Sequence, residues 1–186
     1  MNNKILLIAR TGVLIALLVA LQWGTGSLTA AAPPPFNTLV TGSVVNLILI
    51  VSVMTGGLAC GAAVAVLSPV MAFMLPIPVG PQFPFIIPFV CLGNLTLVAL
   101  WHVIGNKAAK KVITAHITAL IAGALGKFAV LYVGVVLVAI PFLLDLTPQQ
   151  ATMITTMFSY PQIITAAIGG AIAIAILPVL KKATRS

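Results

Sequence analysis

The sequence predicts an all-α integral membrane protein: a bundle of six transmembrane helices with its N-terminus and C-terminus both on the cytoplasmic side. Three observations carry that prediction. Of 186 residues, 61% are hydrophobic and only 5% charged, whereas a soluble domain has about 25% charged residues. The mean hydropathy of +1.25 agrees. The apolar runs are continuous and do not alternate, which excludes a membrane β-barrel. Helices remain, because backbone polar groups in lipid must be satisfied within each segment. The few charges, finally, are distributed as a membrane topology demands.

At about 20 apolar residues per span, the chain holds about six spans with short connections, which predicts a single transmembrane domain over residues 1–186 and no soluble one. The runs are Ile5 to Gln22, Thr38 to Met54, Leu58 to Leu75, Phe85 to Ile104, Val112 to Ile140 and Ala151 to Leu180. Lys4 and Arg10 near the first run suggest a secretory signal, but Arg10 interrupts the run and no isolated small-residue cleavage site follows. A retained first helix is expected. Turn chemistry separates the runs: Pro33-Pro34-Pro35, the tight Thr55-Gly56-Gly57, the Pro-rich stretch from Pro76 to Pro84, Gly105-Asn106-Lys107, and Pro141 to Pro148. Cys60 and Cys91 lie inside apolar runs without metal-ligand spacing and read as small hydrophobes.

The nine basic residues are Lys4, Arg10, Lys107, Lys110, Lys111, Lys127, Lys181, Lys182 and Arg185, and the single acid is Asp145. With a cytoplasmic N-terminus and six spans, every basic residue except Lys127 falls on the inner side, as the positive-inside rule requires. The net charge of +8 therefore reads as orientation and headgroup contact, not nucleic-acid binding. The outer connections are long and Pro-rich. They suit the walls of an outward-facing pocket, or simply end helices sharply.

Polar groups inside lipid mark helix contacts or a substrate path. The densest group opens the second span: Asn37, Thr38 and Thr41 at its outer end, then Ser43, with Asn46 about a turn deeper and expected to point inward. Gln82 in the next outer loop, Asn94 and Thr96 in the fourth span, and Tyr160 and Gln162 in the sixth are the candidates to close the same cavity. Lys127 stands alone among them. It is 16 residues from Lys111 and 14 from Pro141, over about 20 Å from either at ~1.5 Å per residue, too deep for snorkelling. No carboxylate lies within the spans, so Lys127 faces carbonyls, water, a neutral state or an anionic ligand, and both a substrate-binding and a structural role stay open. His102 and His116 read as interfacial residues, since no acid chain accompanies them.

Catalysis lacks its parts: no acid pair, no Ser/His/Asp set, no phosphate loop, no HExxH. An enzyme is not expected, nor a cofactor bound by this chain. The same scarcity of acids argues against a proton- or sodium-driven transporter, so uphill transport would draw its energy from another chain. On the first span Gly12, Ala16, Ala20 and Gly24 recur every four residues, a stripe that permits close helix approach within the bundle or to a partner. Ala115, Ala119 and Gly123 form a second stripe, and Ala167, Gly170 and Ala171 a third cluster.

This combination resembles the substrate-binding S components of energy-coupling factor (ECF) transporters, the vitamin uptake systems of prokaryotes. The resemblance spans the chain. It rests on small size, six spans, basic ends inside, long outer loops, the Ala16 to Ala20 spacing on the first helix, the stretch from Asn37 to Asn46, Leu67-Ser68-Pro69, and Pro88 to Asn94. It implies a protein of the prokaryotic plasma membrane that captures a water-soluble vitamin at its outer face. It further implies docking onto a transmembrane coupling subunit through Ala16 and Ala20, with Gly12 extending the stripe, while two cytoplasmic ATPases hydrolyse the ATP. Under this resemblance Asn37, Thr38, Thr41, Asn46, Gln82, Asn94, Lys127, Tyr160 and Gln162 are the substrate-binding candidates. A wide, amide-lined neutral pocket suits cobalamin, the first expectation. Pantothenate, a small carboxylate, suits a cavity reached by Lys127, and folate, pyridoxine-like and nucleoside ligands form the remainder. Two other classes compete: a non-transport membrane assembly protein, and an autonomous solute channel or facilitator.

Overall fold

The computed structural model describes residues 3–32, 36–74, 84–106 and 112–183. Those residues are all-helical, and five helical stretches are long and apolar enough to cross a membrane: Ile5–Leu28, Phe36–Met74, Pro84–Gly105, Val112–Phe142 and Pro148–Lys182. The chain is a multi-pass membrane protein by this criterion.

Helix α1 (Asn3–Leu28) satisfies its hydroxyls internally. Thr11 Oγ1 donates to the Leu7 carbonyl at 2.8 Å and Thr25 Oγ1 to that of Leu21 at 2.6 Å, the usual way a threonine avoids an unmet group in lipid. α1 packs on α2 (Phe36–Met74) through a stripe of buried residues, Leu18, Gln22 and Gly26.

α2 is 39 residues long, about 58 Å if straight, nearly twice the hydrocarbon thickness. It is not straight. Gly57 has φ 80 and ψ −179, a conformation open essentially to glycine alone. A Cβ on Gly61 would lie 3.1 Å from Val53 Cα, although eight residues of continuous helix put such atoms about 12 Å apart. The chain therefore doubles back at Gly57, where the sequence places its tight turn, and the two halves of α2 pack side by side.

A 3-10 turn at Pro84–Ile86 leads into α3 (Ile87–Gly105), with Pro88 in its first turn, where the missing N–H costs nothing. α4 (Val112–Leu131) continues as a π-helical stretch, Tyr132–Ala139, and closes with the short α5 (Ile140–Phe142). The widening precedes Pro141, which lacks the donor and the clearance for α-helical bonding one turn back. α6 (Pro148–Met157) starts in a capping box: Gln150 N donates to Thr147 Oγ1 at 3.3 Å and Thr147 N to Gln150 Oε1 at 3.0 Å. α7 (Pro161–Ala183) follows. The run from Ala151 to Leu180, continuous in the sequence, is thus two helices. Pro161 disfavours helix at Tyr160, and the chain breaks across Phe158–Tyr160.

One apolar cluster, including Leu18, Leu49, Val64, Leu97, Trp101 and Leu177, ties together α1, both halves of α2, α3 and α7. A smaller one, Ile86, Leu131, Val135 and Ile154, ties the start of α3 to the π-helical stretch and α6. Glycines set the closest crossings. A Cβ on Gly169 would lie 2.6 Å from the Ser43 carbonyl oxygen and 2.8 Å from Leu47 N, so α7 and the first half of α2 touch backbone to backbone there.

Candidate functional site: a buried lysine held by two asparagines

Lys127 lies halfway along the Val112–Phe142 span, 15 residues from each end, and Asn94 lies near the middle of Pro84–Gly105. Asn46 is midway between the start of α2 and its reversal at Gly57. The fold brings these three mid-span residues together. Lys127 Nζ donates to Asn46 Oδ1 at 2.6 Å and to Asn94 Oδ1 at 2.8 Å. Exposure is 4% for Lys127, 0% for Asn46 and 1% for Asn94. The amides are themselves held: Asn46 Nδ2 donates to Thr165 Oγ1 at 3.1 Å and Asn94 Nδ2 to the Ala65 carbonyl at 3.3 Å. Thr165 Oγ1 in turn donates to the Gln162 carbonyl at 3.1 Å, and Gln162 Nε2 to the Met157 carbonyl at 2.9 Å.

Of the sequence alternatives for Lys127, the structure supplies side-chain amide oxygens. An ammonium has three N–H donors, of which these oxygens take two. Both oxygens direct the negative ends of their dipoles at the cation, and each amide is oriented by a bond from its own nitrogen, so the arrangement is rigid. Leu97, one turn from Asn94 on one side, and Leu131, one turn past Lys127 on the other, belong to the two apolar clusters. The polar group is therefore a layer between hydrophobic plugs. Its polar continuation runs through Thr165 to the start of α7.

The other sequence candidates divide. Gln162 joins the network through its backbone, one residue removed from the lysine's direct partners. Asn37, Thr38 and Thr41 form a separate patch at the start of α2, about 13 Å along the helix from Asn46 in the case of Asn37. Asn37 Nδ2 donates to the Thr29 carbonyl at 2.9 Å and pins the end of α1 to the start of α2. Asn37 Oδ1, Thr38 Oγ1 and Thr41 Oγ1 are buried without partners, as is Gln22 Oε1 on α1. Each such atom costs about 1–3 kcal/mol unless something meets it. Tyr160 is 53% exposed and stands outside the network. Gln82 lies outside the described residues. His116, expected at an interface, is 4% exposed and packs against Trp101, ring centroids 6.0 Å apart.

Thr165 and Gln22 are absent from the sequence candidates. Thr165 follows Gln162 by three residues, on the same helix face, a spacing that could have identified it. Gln22 had a weaker signal, a single amide at the end of the first run.

The small-residue stripes also divide. Ala119 and Gly123 are buried, and a Cβ on Gly123 would lie 2.9 Å from Leu97 Cδ1. Of the third cluster Gly170 is buried, next to Gly169, while Ala167 is half-buried and Ala171 exposed. Gly12, Ala16 and Ala20 are exposed, and a Cβ on Gly12 would meet nothing within 4 Å. No family model matches the chain, and neither does any curated protein or solved structure.

Proposed function

We propose that the chain is the substrate-binding S component of an ECF-type vitamin transporter in the prokaryotic plasma membrane. It captures a water-soluble vitamin from the outside, binds no cofactor of its own, and works with a transmembrane coupling subunit and two cytoplasmic ATPases. The observation that carries this reading is the unspent face of α1. Of the small-residue stripes in the chain, that on α4 is used for internal packing and that on α7 partly so, through Gly170, whereas Gly12, Ala16 and Ala20 are all left outside the fold. A surface built for close helix approach and unoccupied in the bundle suits a helix of another subunit. The shortage of acids, one in the whole chain, fits a protein that borrows its energy.

In this reading the reversal at Gly57 makes α2 two crossings, the count becomes six, and both termini lie inside with the basic residues. The vitamin site then opens at the outer ends of α2 and α7, with Lys127 at its floor. Cobalamin remains the first ligand, on the amide-rich character of the outer patch. A second reading, pantothenate, is favoured by one observation: Lys127 retains an N–H beyond the two that Asn46 and Asn94 receive, and a carboxylate could accept it.

The test is calorimetry of the purified chain with cyanocobalamin and pantothenate, followed by uptake in liposomes with and without the coupling subunit and ATPases. Binding together with uptake that needs ATP and the partners is the expected result. Uptake without them would make the chain a channel or facilitator, and failure to bind any vitamin would leave a membrane assembly protein.

A further inference from the structure

Two threonines at the start of α2 depart from the habit of the other helical hydroxyls. Thr11, Thr25, Ser43, Ser52, Thr55 and Thr96 each donate to the carbonyl four residues back, which is how a hydroxyl is satisfied in lipid. Thr41 Oγ1 is buried and makes no such bond, and Thr38 Oγ1 is buried without a partner too. Asn37, Thr38 and Thr41 are neighbours on the helix surface by their i, i+3 and i, i+4 spacing.

Two amide oxygens join them. Asn37 is 1% exposed, and because its Nδ2 is committed to Thr29, its unmet atom is the acceptor Oδ1. Gln22 is 5% exposed with Oε1 unmet, and its helix packs on α2. The Asn37–Thr29 bond sets the level of one helix against the other. Seven residues down α1 from Thr29 is about 10 Å, four down α2 from Asn37 about 6 Å, so Gln22 and Thr41 lie within about 5 Å in depth.

We propose that Gln22, Asn37, Thr38 and Thr41 form a subsite for an uncharged carboxamide-type edge of the ligand. Its N–H groups donate to Asn37 Oδ1 and Gln22 Oε1, and its carbonyl accepts from the threonine hydroxyls. A carboxylate placed here would set lone pairs against the two amide oxygens, so the patch disfavours an anionic group. The inference rests on the vitamin-binding reading and names the ligand chemistry at its outer end.

The experiment compares wild type with Thr38→Val/Thr41→Val, which keeps shape and removes both hydroxyls, and with Gln22→Met. Affinity for cyanocobalamin and for pantothenate is read by calorimetry, and melting of the ligand-free proteins is read in parallel. The expected result is an affinity at least 10-fold weaker in each variant for whichever vitamin wild type binds, with ligand-free melting unchanged or raised. Unchanged affinity would overturn the subsite and leave the transport reading standing. Lowered ligand-free melting would also overturn it, because the hydroxyls would then be satisfied within the fold. A wild type that binds neither vitamin overturns the vitamin-binding reading and the subsite with it.

Discussion

Replacing Lys127 by Met tests the central network, and the structure fixes what the change leaves behind. Met fills most of the same volume but donates nothing, so Asn46 Oδ1 and Asn94 Oδ1 lose the bonds they accept at 2.6 and 2.8 Å. Two buried unmet acceptors cost about 2–6 kcal/mol together. Relief from burying the lysine offsets part of this, and a net loss of about 1–4 kcal/mol follows. For a chain of this size that lowers the melting temperature by about 2–15 °C, readable by tryptophan fluorescence of the purified protein in nanodiscs. The control is Lys127→Met/Asn46→Leu/Asn94→Leu. Thr165 Oγ1 keeps its bond to the Gln162 carbonyl, so removing all three partners orphans no side-chain atom of the network, and most of the stability should return. A single variant that melts within about 1 °C of wild type, or a triple variant no more stable than the single, would refute the reasoning. Pantothenate affinity in the single variant separates the two roles: a loss of 10-fold or more places the lysine on the ligand, and unchanged affinity makes it structural.

Ala16→Leu/Ala20→Leu should abolish assembly with the coupling subunit and uptake while leaving melting and vitamin affinity unchanged, because both residues are exposed in the fold; pull-down and calorimetry on the same preparation check this. Gly57→Ala forces a side chain into φ 80, ψ −179 and should cost about 1–3 kcal/mol, seen as a melting drop of several degrees. Gly169→Leu would place its Cβ 2.6 Å from the Ser43 carbonyl oxygen. It should push α7 from α2, lower melting by at least as much as Gly57→Ala, and break the Asn46–Thr165 bond.

How far the site could be read from the sequence depended on chemistry rather than position. In a chain this apolar, Lys127, Asn46 and Asn94 are conspicuous because each needs a partner in lipid, and mid-span depth brings them together. Thr165 was less visible because a helical threonine normally satisfies itself on its own backbone, as Thr11 and Thr96 do; only its three-residue spacing from Gln162 marks the one that accepts from Asn46. The turn at Gly57 was visible as a Gly-Gly pair. The π-helical stretch from Tyr132 was not, since its apolar run continues without interruption, and the break before α7 was marked only by Pro161. The outward direction of the Gly12–Ala16–Ala20 stripe was undecidable, because its spacing is the same as that of stripes packed inside.

Under the proposed function, that direction gives α1 two roles on opposite sides. Leu18, Gln22 and Gly26 are buried on α2, while Ala16 and Ala20 are exposed; an offset of two residues is about 200° around a helix. Ligand and partner would thus be separated by one helix diameter, about 10 Å. A displacement of α1 by a ligand at Gln22 would be felt directly at the docking face. Thermodynamic linkage then makes a measurable demand: if the coupling subunit changes vitamin affinity by some factor, the vitamin changes docking affinity by the same factor. Gln22→Leu should reduce that factor toward one in both measurements while preserving docking itself, because its side chain lies on the other face. Measuring vitamin affinity with and without the coupling subunit, and docking with and without vitamin, closes the cycle. A factor that survives Gln22→Leu unchanged would show that Gln22 does not carry the message through α1.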